Sequence, residues 1–188
     1  MAMLIRRSRV ASDDEYLSSK AHPSVFHNQS NLISMARLAY GIDENTIPPM
    51  VHIQAVQDEY RSDLGERRFD TPMSIARIYK DTTAGSKRIV VNATAIKNAF
   101  TLEKQTGVQF VWRVVRGDPN LIRITPSADG TSAEIIFSAH YEDVVDVLTL
   151  NGLLRPVKSS LLAVAVFAYN GVFYSAPSYI NSYSELVR

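Results

Sequence analysis

Val108-Gln109-Phe110-Val111-Trp112-Arg113-Val114-Val115 is the stretch on which the fold turns. Val108, Phe110, Trp112 and Val114 fall on one face, with Gln109 and Arg113 on the other. A period of two with one apolar side is the signature of a half-buried strand. Downstream, Gly117-Asp118-Pro119 turns the chain into a run from Leu121 to Thr125, and Asp129-Gly130 predicts a hairpin turn before Ala133 to Ala139. In that last run Ala133, Ile135 and Phe137 alternate with Glu134 and Ser138.

Upstream the same period recurs. Val51, Ile53 and Ala55 alternate with His52 and Gln54, Met73 to Tyr79 forms another run, and Thr82-Thr83-Ala84-Gly85-Ser86 leads to Arg88 through Ile96. Between the first two runs, Asp58 to Thr71 reads as a charged loop. Near the C-terminus Leu161 to Tyr169 is apolar on both faces, the pattern of a central strand covered on both sides. Asn170-Gly171 turns it into a closing partner, Val172 to Tyr183, which Pro177 demotes to an edge or bulged strand. Tyr141 to Ser160 reads two ways: Val144, Val147 and Leu148 suit a helix, whereas Asn151-Gly152 suits a tight turn between short strands.

Before the strands the pattern differs. Met1 to about Gln29 shows no sustained period and reads as an arm lying on a surface or disordered. Leu32, Met35, Ala36 and Ala39 then share a helical face, with Ser30 or Asn31 as the cap and Gly41 as a left-handed stop. Ile47-Pro48-Pro49 ends that segment, because two prolines exclude a helix through them. The sequence therefore predicts an all-β antiparallel sandwich over residues 48–188, preceded by an extended N-terminal arm with one short amphipathic helix over residues 1–47.

From Pro48 to Tyr183 the order of elements resembles the immunoglobulin-like superfamily, particularly PKD-type repeats. The residues that carry the resemblance are Val91-Asn92-Ala93-Thr94-Ala95, Phe110-Val111-Trp112, Gly117-Asp118 and Ala165-Val166-Phe167-Ala168-Tyr169-Asn170-Gly171. Arg113-Val114-Val115-Arg116 lengthens the interval between the tryptophan and the Gly-Asp turn beyond the strict motif. Ala21-His22-Pro23-Ser24-Val25-Phe26, the helix and Ile47-Pro48-Pro49 resemble the junction before the C-terminal module of long uncharacterised bacterial proteins. The first resemblance implies a sandwich of immunoglobulin or PKD type. The second implies an accessory module, extracellular or at the cell surface, whose larger upstream domain is missing from this chain.

Composition removes several function classes. Among 188 residues there is no cysteine, which excludes disulfides, thiolate metal sites and a cysteine nucleophile. A formal net charge of +1 supplies no global field toward nucleic acid or acidic lipid. Arg6, Arg7 and Arg9 follow Met1 without an apolar run behind them, and Asp13, Asp14 and Glu15 come at once, so no signal peptide is read here. No stretch of about 18 apolar residues suggests a membrane span.

The four histidines, His22, His27, His52 and His140, lack the spacing of a His-Glu-x-x-His metal site and read as surface residues. The carboxylates Asp58, Glu59, Asp63 and Glu66, and Glu142, Asp143 and Asp146, follow no calcium-loop pattern, and mixed charge in a loop reads as solvation. Gly85-Ser86-Lys87 lacks the rest of a phosphate loop, and no serine sits in a nucleophile elbow. Asn28-Gln29-Ser30 and Asn92-Ala93-Thr94 match glycosylation sequons. No catalytic, cofactor-binding or metal-binding residue is assigned.

Partner-binding residues are expected at three places. Tyr174, Tyr179 and Tyr183 concentrate contact area in the closing hairpin, with Tyr179 and Tyr183 on one face. Arg6, Arg7 and Arg9 form a basic tip, and Leu32 and Met35 mark the apolar face of the helix. These residues predict a non-catalytic structural or protein-interaction module whose arm docks on a neighbouring subunit, in a homo-oligomer, or on a larger complex. A carbohydrate-associated accessory domain, with the tyrosines stacking on polysaccharide, is the alternative expectation.

Overall fold

A computed structural model describes residues 2–22, 31–81, 85–98, 102–138, 143–148, 154–159 and 161–186, without the side chains of 81, 98, 143–148, 154–159, 185 and 186. The strands are β1 (Met50–Asp58), β2 (Arg67–Thr71), β3 (Ser74–Asp81), β4 (Lys87–Asn98), β5 (Glu103–Lys104), β6 (Gln109–Arg116), β7 (Ile122–Pro126), β8 (Ser132–Phe137), β9 (Asp143–Leu148), β10 (Leu154–Ser159), β11 (Leu161–Tyr169) and β12 (Ser178–Leu186). One sheet runs β1-β4-β8-β7 with β5 beside β4, the other runs β2-β3-β12-β11-β6, and β9 pairs with β10 alone. The helices are α1 (Ala2–Arg7), α2 (Asp13–Tyr16) and α3 (Leu32–Tyr40).

The inward face of each strand follows from the alternation. Val51 and Ile53 on β1, Ile89, Val91, Ala93 and Ala95 on β4, and Ala133, Ile135 and Phe137 on β8 meet Trp112 of β6 and Ile180 of β12 between the sheets. From β11 the same core receives Leu162, Val164, Val166 and Ala168. Trp112 also donates its indole N–H to the Gly130 carbonyl at 3.0 Å, which ties β6 to the β7–β8 turn. Gly117 is required after β6: its φ is +88°, and an added Cβ would sit 2.3 Å from the Leu162 side chain.

β11 is buried from Leu161 through Ala168, as its two-sided apolar run predicts. Its outward residues Ala163, Ala165 and Phe167 form a second cluster with Met3, Tyr16, Leu17 and Ala21. The second sheet is thus covered on its inner side by the first sheet and on its outer side by the N-terminal segment.

Several sequence expectations are corrected. Over its described residues the arm is not simply extended: it contains α1 and α2 as well as α3, but six and four residues are too few to display a helical period. Gly41 ends α3 at φ −85°, without a left-handed turn, and its N–H bonds the Arg37 and Leu38 carbonyls. Asn31 does cap the helix, its side chain accepting from the Ser34 N–H at 3.0 Å. The segment from Asp58 to Thr71 is not all loop, since it holds a 3₁₀ turn at Ser62–Leu64 and strand β2. Nor is the sandwich antiparallel throughout: β12 runs parallel to β3, from Tyr179 opposite Ser74 to Leu186 opposite Asp81. Alternation fixes which face a residue takes, not which strand lies alongside or in which direction.

The strand reading of 141–160 is the one observed for its described backbone, with Leu154 opposite Leu148 and Ser159 opposite Asp143. The closing strand is not an edge: β12 lies between β3 and β11, because Pro177 falls immediately before it, outside the ladder where its missing N–H would be felt. Outside the described residues fall His27, His140, Glu142, the Asn28-Gln29-Ser30 sequon, Thr82-Thr83-Ala84 and the Asn151-Gly152 turn; the side chains of Asp143 and Asp146 fall there too.

Candidate interaction site

Small residues at Ala163 and Ala165 leave room on the outer face of β11, and the N-terminal segment fills it. Tyr16, 1% exposed at the end of α2, is the deepest anchor. Ser12 starts α2 by accepting from the Glu15 N–H, while the Tyr16 hydroxyl donates to the Ser175 carbonyl at 2.8 Å. The Tyr16 ring lies 5.6 Å from the Phe167 ring and 5.6 Å, edge-on, from the His22 ring.

A polar knot sits beside this anchor. His22 donates from Nε2 to the Tyr16 carbonyl at 2.6 Å. A carbonyl only accepts, so Nε2 carries the proton and Nδ1 presents its lone pair. Tyr179 Oη lies 3.3 Å from that Nδ1, and an Arg6 Nη1 lies 3.4 Å from it. Arg6 also donates to the Tyr179 hydroxyl and stacks 5.2 Å above the Tyr179 ring. Arg6 is 8% exposed, its Nε is buried without a hydrogen-bond partner, and no carboxylate among the described residues pairs with it.

Burial sets the electrostatics. Desolvation, with the Arg6 charge as a lesser cause, lowers the His22 pKa to about 4, against the opposing bond to the Tyr16 carbonyl. Desolvation also pushes the Tyr179 hydroxyl up to about 12, although Arg6 pulls the other way. Arg9 is held below the usual arginine value by burial and by Arg6.

His22 is thus neutral in the fold but protonates near pH 6.5 once unfolded. The unfolded chain binds the extra proton between those values, so stability is full above pH 6.5 and declines as pH falls toward 4. We expect this one group to remove about 3 kcal/mol across that window. Urea titrations at stepped pH check it: the His22→Gln variant should show a flatter profile between pH 6.5 and 4. An unchanged slope would assign the acid sensitivity elsewhere.

The predicted partner-binding residues are distributed as follows. Arg6 and Tyr179 come together in the knot and are occupied with each other. Arg7 pairs with Asp13 at 2.8 Å, and its charge lies 6.0 Å from the Tyr16 ring centre. Tyr174 stacks on Tyr169, with ring centres 4.6 Å apart and planes tilted by 31°. Tyr183 shares the outer face of β12 with Tyr179 and is exposed. Leu32 is 74% exposed, while Met35 is half-buried. The expectation of a surface histidine fails at His22, which faces rings on three sides. The charged segment is not simply solvated either: Glu66 is buried against Lys87 at 2.8 Å, and Asp58 meets the buried Arg77 at 2.5 Å.

Sequence reasoning missed two residues on α3. Ile33 is 69% exposed and Tyr40 97% exposed, and with Leu32 and Ala36 they form one apolar side. Ser34, Met35 and Leu38 occupy the half-buried side, so only part of the predicted apolar face is packed. Ile33 and Tyr40 adjoin the predicted stripe, and a stripe drawn wider than the strict i, i+3, i+4 set would have included them.

Fold and site define a class: an all-β sandwich protein with a helical N-terminal cover and an exposed apolar helix side. In comparisons with known proteins, no family model matches the chain and no curated protein matches it. No described helix is long and apolar enough to cross a membrane.

Proposed function

We propose that the chain is a non-catalytic interaction module that presents α3 to a neighbouring copy of itself in a homo-oligomer. The observation that carries this reading is the exposed side of α3, where Leu32, Ile33 and Tyr40 face solvent together on a nine-residue helix. Apolar side chains scattered singly on a surface need no explanation, whereas a contiguous set on one element is characteristic of a contact surface. Residues 2–22 are engaged with their own sheet, which leaves α3 as the docking helix among the described residues of the arm. Three buried ionisable groups have structural partners that support a scaffold role: His22 fixes the arm, and Glu66 and Arg77 join strands. An immunoglobulin or PKD-like type of sandwich belongs to the same proposal, supported by a tryptophan packed between two sheets. The carbohydrate platform is set aside because Tyr179, one of its two key rings, lies under Arg6.

Light scattering tests the reading. The intact chain should self-associate, and Ile33→Asp with Tyr40→Asp should return it to the monomer mass. Both side chains are exposed, so stability should change by less than about 0.5 kcal/mol each. An intact chain that remains monomeric at about 1 mM, the weak end of measurable affinity, would sink the reading.

A further inference from the structure

The half-buried side of α3 borders a groove of about 420 Å³, walled on its other side by the chain from Arg7 to Ala11. Val10, Leu38 and Phe173 give it an apolar lining, while Arg7, Arg37 and Ser34 bring charge and a hydroxyl. Ligand sites are typically concave, mostly apolar, and supplied with a few convergent polar groups. The volume lies within the range such sites occupy, roughly 300–1,000 Å³.

The charges here are incompletely matched. Arg7 spends one nitrogen on Asp13, and its other terminal nitrogen, Nη1, is buried without a hydrogen-bond partner. Arg37, exposed on α3, makes no ion pair among the described residues. A partly desolvated guanidinium is satisfied best by an anion that accepts two parallel N–H bonds, which a carboxylate does.

We propose that this groove binds a medium-chain aliphatic monocarboxylate, its carboxylate held by Arg37 and Arg7 and its alkyl chain against Val10, Leu38 and Phe173. An apolar lining rules against a small hydrated anion, which would leave that surface wet and gain nothing from it. The Arg37 charge and the unpartnered Arg7 Nη1 rule against a neutral lipid, which brings no charge to either. A tail of roughly six to eight carbons suits the volume. The site borders the docking side of α3 at Arg37 and otherwise lies on the other side of the helix. Helical periodicity places Ser34 and Leu38 opposite Leu32, Ala36 and Tyr40, so either reading can fail alone.

Titration of the full chain with octanoate, followed by two-dimensional NMR of backbone amides, is the test. Saturable shifts are expected in residues 7–11 and 34–41. Octanamide, the neutral analogue, should bind about tenfold more weakly, and Arg37→Gln should weaken octanoate by a similar factor. Because Arg37 is exposed, that variant should keep the unliganded spectrum elsewhere. Equal affinity for octanoate and octanamide, an unaffected Arg37→Gln variant, or shifts centred outside the groove would each overturn the proposal. So would the absence of saturation up to about 10 mM octanoate, below which even a weak specific site should fill.

Discussion

Replacing Arg77 by alanine is expected to destabilise the fold by about 3 kcal/mol, the lower end of what breaking a buried ion pair costs. Arg77 sits on the inward side of β3 with its side chain 1% exposed. It reaches Asp58 at the end of β1 and Asp70 on β2, each at 2.5 Å, and a second bond to Asp70 is 3.2 Å. A further N–H meets the Ala76 carbonyl at 2.9 Å. One guanidinium thus joins β3 to its hairpin partner and to the opposite sheet. Alanine would leave the Asp58 carboxylate, 16% exposed, without its cation. Asp70 is 43% exposed and can turn to water, which limits the loss. Asp70→Asn should therefore cost less than about 1 kcal/mol, the range of a solvent-accessible pair. Urea denaturation of both variants tests the asymmetry. Equal losses would mean that the Asp58 bond carries no special weight.

Arg77 also shows what the sequence could and could not convey. In Met73 to Tyr79 the inward positions are Ile75, Arg77 and Tyr79, so an arginine occupies a place where alternation asks for an apolar residue. Nothing local announces that Asp58, 19 positions earlier, will meet it. The same contrast holds across the fold. Leu161 to Tyr169 was legible as a doubly covered strand because nine residues carry the signal themselves. The face of Trp112 was legible for the same reason, and the cap was legible as one of two neighbours, Ser30 or Asn31. The parallel neighbour of β12 was not, since pairing between strands a hundred residues apart leaves no mark in either one's period. The arm was the hardest. Its docking rests on single anchors, Met3, Tyr16, Leu17 and Ala21, spread over α1, α2 and a 3₁₀ turn at Ser19–Ala21. Of the candidate site, the residue types were readable and their pairing was not: Arg6 and Tyr179 are 173 positions apart.

Those anchors set the second large effect. Tyr16→Ala should remove about 3–5 kcal/mol of packing, the loss typical of deleting a buried ring. It also strands the Ser175 carbonyl, which accepts from the Tyr16 hydroxyl. The consequence should be regional rather than global. The core between the sheets contains no residue of the N-terminal segment, and the outer cluster on β11 draws four of its buried members from that segment. Hydrogen exchange should therefore show residues 2–22 losing protection while β4 and β8 keep theirs. Loss of the cover uncovers Ala163, Ala165 and Phe167, so the variant should also bind an apolar dye and aggregate on warming. If β4 and β8 lose protection together with the arm, the two clusters form one cooperative unit. In that case the cover is part of the condition for folding, and α3 is held in place by the same free energy that holds the sandwich.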